Sequence, residues 1–175
     1  MTSNQQSGAA AGSDDSVLSS YLHSHIVAAA AGVRLFEQAS KVWKDSPHGT
    51  TLKRLRDEVN ADKAELESVA HQLDLGIPLH KQALAWAGSQ LSRFNPLNPW
   101  RTRGNLGSQL ELEALETAVQ GKVLLWNTLL QLADDDERIN AGQIERLRGR
   151  AQGQVSDIDA LLRETVPERF RQGAD

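Results

Sequence analysis

The chain contains no cysteine. That excludes disulfide bridges, thiolate metal sites and cysteine nucleophiles, and it leaves the redox compartment open. No run of about 18 apolar residues occurs, so no segment is expected to span a membrane. The N-terminus has neither a basic n-region nor an apolar h-region. No signal peptide is therefore expected, and the cytoplasm is the default location. A basic surplus is also missing. The 19 Lys and Arg residues face 23 Asp and Glu residues, for a formal net charge of -4. General nucleic-acid binding needs a basic field, so it is disfavoured. Prolines number only 5, and they fall at Pro47, Pro78, Pro96, Pro99 and Pro167. The stretches between them can be long unbroken helices. Strand-like alternation is absent throughout, so the fold class is all-α.

What is present is a repeated stripe. One stretch reads Leu52, Leu55, Val59, Asp62, Leu66, Val69, Leu73. A second reads Leu112, Leu115, Val119, Lys122, Trp126, Leu129, Ala133, and a third Ile144, Leu147, Ala151, Gln154, Ile158, Leu161, Thr165. Spacings of three and four place each set on one helix face, turned to a core. Each stripe is interrupted midway by one polar residue. An acid, a base and an amide are therefore expected to meet halfway along a helical bundle. A further stripe on the first helix runs Leu18, Tyr21, His25, Ala28, Gly32, Leu35, Ala39, Val42.

The punctuation between stripes sets the topology. Residues 1–14 are small and polar without an apolar period, and read as a disordered tail. Residues 15–166 form the bundle domain, and residues 167–175 a C-terminal tail. Asp45 to Gly49 is turn chemistry. Gly76 followed by Pro78 ends the second helix. A long connection follows, in which Leu79 to Phe94 reads as a shorter amphipathic helix and Asn95 to Asn105 as loop. Asp134 to Glu137 turns the chain again, and Asn140 caps the last helix with Gln143 at the capping-box position. Short, long and short connections imply two helical hairpins joined by a crossover. Helices two and three then run parallel. The expected fold is a four-helix bundle of ferritin-like topology, with a short extra helix in the crossover.

That topology raises the question of a di-iron site, which needs Glu-x-x-His pairs on two helices. No Glu has a His three residues later. A core ammonium at Lys122 would also repel a cation. No cofactor is expected, and no tightly bound transition metal at the bundle centre. Asp62, Lys122 and Gln154 read as a buried ion pair and amide that fix helix order, or as the wall of a small polar pocket. Tyr21 and His25 join the same layer, with His25 satisfied by Tyr21 or Glu116. His25, His71 and Glu58 are the only metal-ligand candidates worth keeping. Glu111, Glu113 and Glu116 read as solvated faces or as partners of nearby Lys and Arg. Arg146, Arg148 and Arg150 lie two apart and splay around the last helix. Arg93, Trp100, Arg101 and Arg103, with Phe94, form a basic and aromatic knot in the crossover. It reads as a staple onto the bundle or as a surface for a partner or a membrane headgroup. No nucleophile–base pair is apparent, so an enzyme is not expected.

The run Tyr21-Leu22-His23-Ser24-His25, with Ala31-Gly32, Glu58, Asp62, Glu111-Leu112-Glu113-Ala114-Leu115, Gly121-Lys122 and Trp126, resembles an uncharacterised family of bacterial, mainly actinobacterial, helical proteins. The resemblance covers Leu18 to Leu162. The family's tyrosine, histidine, acid and Gly-Lys positions correspond to Tyr21, His25, Glu58, Asp62, Gly121 and Lys122. It implies a ferritin-like bundle and implies no chemistry. The function expected is a non-enzymatic bundle that binds a small ligand or a protein partner, including a second copy of itself. The alternative is a degenerate metal-binding or stress-linked ferritin-like protein using His25 and a neighbouring carboxylate.

Overall fold

A computed structural model describes residues 6–75 and 105–171. These residues form four helices and no strand: α1 Gln6–Val42, α2 Gly49–Gln72, α3 Asn105–Leu132 and α4 Ala141–Arg171. The stripes of the last three helices are the core. Leu52, Leu55, Leu112, Leu129 and Ile158 are each 0% exposed, and Asp62, Gln154 and Thr165 are buried among them. Trp126 and Phe36 are the largest fully buried side chains.

Side-chain pairs fix the helix directions. Tyr21 meets Thr128 and Trp43 meets Glu111, so α1 and α3 are antiparallel. Arg54 meets Asp157 and Asp62 meets Gln154, which makes α2 and α4 antiparallel. Gln109 meets Arg169 and Lys122 meets Gln154, so α3 and α4 are antiparallel as well. Helices α2 and α3 therefore run parallel. In section α1 packs on α2 and α3, and α4 packs on α3 and α2. That leaves α2 and α3 on the diagonal of a square.

The turns follow local chemistry. Asn140 caps α4, its side-chain oxygen accepting from the Gln143 N–H at 3.0 Å. Gly49 opens α2 against the preceding turn. A Cβ there would sit 2.6 Å from the Lys44 carbonyl oxygen and 2.7 Å from that of Trp43. Only glycine permits so close an approach.

Four boundaries or faces differ from expectation. Helix α1 begins at Gln6, inside the segment read as a tail, where alanines at 9–11 favour helix. Its buried residues are Leu22, Ile26, Val27, Gly32, Val33, Phe36, Ala39 and Ser40; of the stripe expected from Leu18 to Val42, Gly32 and Ala39 are buried and the others are half-buried or exposed. Val42 is 57% exposed. The larger apolar groups win the core, and the rest of the expected stripe is displaced to the rim. Helix α2 ends at Gln72 without reaching Gly76, and Asp74 turns the chain with φ 51. Aspartate is among the few non-glycine residues that tolerate this conformation. Helix α4 continues through Pro167 to Arg171. Proline removes one backbone hydrogen bond, but anchors lie on both sides of it. Thr165 is buried, and the Arg169 guanidinium donates to Gln109 Oε1 at 2.7 Å. The crossover helix Leu79 to Phe94, and the knot of Arg93, Trp100, Arg101 and Arg103, lie outside the described residues.

Candidate functional site

The three interrupted stripes do converge. Lys122 on α3 donates to Asp62 Oδ2 on α2 and to Gln154 Oε1 on α4. Gln154 uses its amide hydrogens on Asp62 Oδ2 at 3.0 Å and Glu58 Oε2 at 3.2 Å. Its orientation is thereby fixed, since only the amide nitrogen can donate. Asp62 is 3% exposed. A bare carboxylate at that depth would be costly, and it is held by two cations. The second is Arg150 of α4, whose Nη2 meets Asp62 Oδ1 as an ion-pair contact and not as an aligned hydrogen bond. The network continues outward: Arg54 holds Glu58 at 2.6 Å and Asp157 at 2.7 Å. Three cations thus face three anions, and the assembly is neutral. Burial pulls the Lys122 pKa below the ordinary lysine range, and Arg150 adds to this. The adjacent Asp62 charge and hydrogen bond, with Glu58, oppose it.

This polar layer is one wall of a cavity of about 410 Å³ among α1, α2 and α3. Asp62 and Lys122 line it beside apolar groups such as Phe36, Leu66, Leu125 and Trp126. The cavity exists because α1 and α3 face each other with small residues. A Cβ added at Gly32 or Gly121 would meet nothing within 4 Å. Gly32 of α1 and Gly121 of α3 therefore do not serve close packing. They hold space open. Ser24, Ala28 and Thr117 line the cavity and are exposed, which marks a mouth between α1 and α3. The volume falls within the roughly 300–1,000 Å³ typical of small-molecule sites.

Not every expected member joins the layer. Tyr21 donates to Thr128 Oγ1 at 3.1 Å, away from Lys122. His25 packs edge-on against the Tyr21 ring, with centroids 4.6 Å apart, and lines the cavity. Burial lowers its pKa, which favours the neutral imidazole. Glu58 is committed to Arg54 and Gln154, and His71 is exposed. Among the described residues, no group of three or more His, Asp or Glu side chains is placed to hold a metal ion.

Two features had no clear sequence signal. Trp126 is 1% exposed, and its indole N–H has no acceptor. A second buried cluster lies nearer the start of α3. There Trp43 donates to Glu111 Oε2 at 2.9 Å, and the Arg169 guanidinium lies 5.0 Å from the Trp43 ring centre. Glu111 is 6% exposed and so is not part of a solvated face, and the Arg169 charge acts on it. Arg146, Arg148 and Arg150 splay to separate partners, Gly142, Glu145 and Asp62, and the last of these contacts had no sequence signal. No described helix is long and apolar enough to cross a membrane. No protein-family model, curated protein or solved structure matches the chain.

Proposed function

We propose that this bundle is a non-enzymatic binding protein whose cavity among α1, α2 and α3 takes a small, mostly apolar molecule. The observation that carries the reading is the cavity itself, about 410 Å³, apolar over most of its wall, with a mouth between α1 and α3. A bundle serving only as a scaffold gains nothing from such a space, since unfilled volume in a core is destabilising. Its glycines are not required by close packing, for a Cβ at Gly32 or Gly121 meets open space. The polar layer shapes one wall and sets helix order. No catalytic step is assigned to it, because Lys122 and Asp62 are held in one ion-paired network with Gln154 and Arg150.

The parallel run of α2 and α3 supports a ferritin-like bundle; the bacterial setting rests on the resemblance described above, and the cytoplasmic one on the expected lack of a signal peptide. A degenerate metal site at His25 is less favoured than the cavity, because among the described residues no group of three or more His, Asp or Glu side chains is placed to hold a metal ion. A partner-binding face has some support from Leu124, 63% exposed on α3. Exposed apolar side chains of this kind, Val17, Val42, Leu132 and Phe170 among them, are weaker support than the cavity.

The test uses the neutral apolar fluorophore N-phenyl-1-naphthylamine. The wild-type chain is expected to bind it at one saturable site with enhanced emission. Gly121→Leu and Gly32→Leu should each weaken binding at least about tenfold while the thermal midpoint holds or rises, since helical glycine is unfavourable. Absence of binding to the wild type, or binding indifferent to both substitutions, overturns the reading.

A further inference from the structure

We infer that the cavity selects an uncharged apolar molecule bearing one hydroxyl group, a phenol or an alcohol, which hydrogen-bonds to the imidazole of His25. This rests on the cavity reading above and names the chemistry of its occupant.

The titratable and hydroxyl-bearing side chains on the cavity wall are Ser24, His25, Asp62, Lys63, Thr117 and Lys122. All but one are already engaged with the protein. Ser24 donates to the Ser20 carbonyl oxygen at 2.9 Å, and Thr117 to that of Glu113 at 2.9 Å. Lys63 pairs with Glu67 at 2.6 Å, and Lys122 pairs with Asp62 in the polar layer. His25 is different. No described residue hydrogen-bonds to either of its ring nitrogens, and neither nitrogen is sealed from water. A group on the occupant can therefore reach it.

The ring faces the right space. Tyr21 lies one turn before His25 on the same face of α1, and its hydroxyl reaches Thr128 of α3. His25 therefore also faces α3, across the gap that holds the cavity. Ser24 and Ala28, which flank it, are exposed at the mouth. The Tyr21 ring packs edge-on against the imidazole with centroids 4.6 Å apart, and is itself tethered by the Thr128 bond. The imidazole is thus held in place before any occupant arrives.

Charge state and hydrogen count choose its partner. Burial lowers the His25 pKa, so the ring is neutral near neutral pH. A neutral imidazole carries one N–H donor and one bare acceptor nitrogen. A hydroxyl can donate to the second or accept from the first, so it matches whichever nitrogen it meets. A carbonyl or ether oxygen can only accept. An ionised ligand would enter without a counter-charge, because Asp62, Lys63 and Lys122 are already paired. Much of the remaining wall is apolar, with Phe36, Leu66 and Leu125. One hydroxyl on an apolar body suits that wall. A second would be buried without a partner, which is costly.

The test compares 2-naphthol with 2-methylnaphthalene, which has the same shape with a methyl in place of the hydroxyl. 2-Naphthoate is the anionic control. Affinities are measured by calorimetry on the full chain near neutral pH, where 2-naphthol is uncharged. The imidazole nitrogens are followed by NMR on ¹⁵N-labelled wild type, and the His25 signals are assigned by their loss in His25→Phe. 2-Naphthol is expected to shift a His25 nitrogen well beyond the ring-current change that 2-methylnaphthalene produces. His25→Phe should weaken 2-naphthol about tenfold, the worth of one hydrogen bond, and leave the hydrocarbon unchanged. Should His25→Phe not fold, single His→Gln changes at the other histidines assign His25 by elimination, and the wild-type response decides alone. Equal responses of the His25 nitrogens to both ligands overturn the proposal. So does an affinity for 2-naphthol that His25→Phe leaves intact, or tighter binding of 2-naphthoate than of 2-naphthol. If N-phenyl-1-naphthylamine binds and 2-naphthol does not, this proposal fails and the cavity reading stands. If none of the four compounds binds, the cavity reading has failed with it.

Discussion

Lys122 and Asp62 meet across the diagonal of the bundle, joining two parallel helices that make no close backbone approach. Arg150 and Gln154 reach the same carboxylate from α4. The pair is therefore the shared centre of three helices. Such a charge contact is poor evidence of stability but strongly constrains register, because a slipped helix would strand a buried ion.

Asp62→Ala should cost about 3–5 kcal/mol, since it leaves the Lys122 ammonium in the core without its carboxylate. The double change Asp62→Leu with Lys122→Met should recover most of that loss. Arg150, 38% exposed, can turn to water in the double variant. Urea melts of the single and double variants measure the difference. A double variant less stable than Asp62→Ala would show that the polar layer holds the bundle by more than charge matching.

This centre was legible in the sequence because a core stripe tolerates one polar residue only when something answers it. Asp62, Lys122 and Gln154 sit at equivalent positions of three stripes, so the period alone brought them together. Arg150 was not legible. A long flexible side chain on a solvated face reaches inward only when a buried charge lies within its length, and that is a tertiary fact. The first helix failed for a related reason. It offers two apolar stripes about one residue apart. The stripe of Leu22, Ile26, Val33 and Phe36 buries more surface than the one of Tyr21, His25, Ala28 and Gly32, and so takes the core. The displaced stripe borders the cavity. Glycine and alanine along it read equally well as close packing or as open space, and only the separation of α1 and α3 distinguishes the two.

That ambiguity is open to measurement. Gly121→Ala and Gly32→Ala should each stabilise the chain by roughly 0.5–1 kcal/mol, because both lie inside helices and a Cβ meets nothing within 4 Å. Gly49→Ala should destabilise it, since its Cβ would sit 2.6 Å from a backbone oxygen. Thermal midpoints of the three variants provide the check. Destabilisation at Gly32 or Gly121 would mean that α1 and α3 are in contact there and the cavity is closed.

The continuation of α4 past Pro167 makes a separate claim about Arg169. Its guanidinium bonds Gln109 and stacks on Trp43, tying the last turn to α3 and to the end of α1. Arg169→Ala should release that turn while leaving the distant polar layer unchanged. Amide hydrogen exchange is then expected to accelerate after residue 165, with little change at 150–158. Unchanged exchange in the last turn would place the anchor elsewhere, at Thr165 or in the backbone itself.

Glu111 gives the pH-dependent outcome. Its carboxyl is buried on α3, where Trp43, just past the end of α1, donates to one oxygen, and the other oxygen has no partner. Burial raises its pKa above the ordinary glutamate value, while the Trp43 hydrogen bond and the Arg169 charge on α4 oppose the rise without cancelling it. The folded chain then holds this proton to higher pH than the unfolded chain. Between the ordinary value and the raised one the unfolded state has already lost its proton, so this group makes stability fall as pH rises. The contribution is fully favourable below the unfolded value and is gone above the folded one. Glu111→Gln keeps an oxygen for Trp43 and removes the titration. The stability of wild type relative to Glu111→Gln should therefore decline as pH increases from just below the ordinary glutamate value towards neutrality, and then level off. Urea melts of both proteins across that range give the difference directly. A difference that is flat, or that grows with pH, would mean that Arg169 and Trp43 stabilise the carboxylate more than burial opposes it.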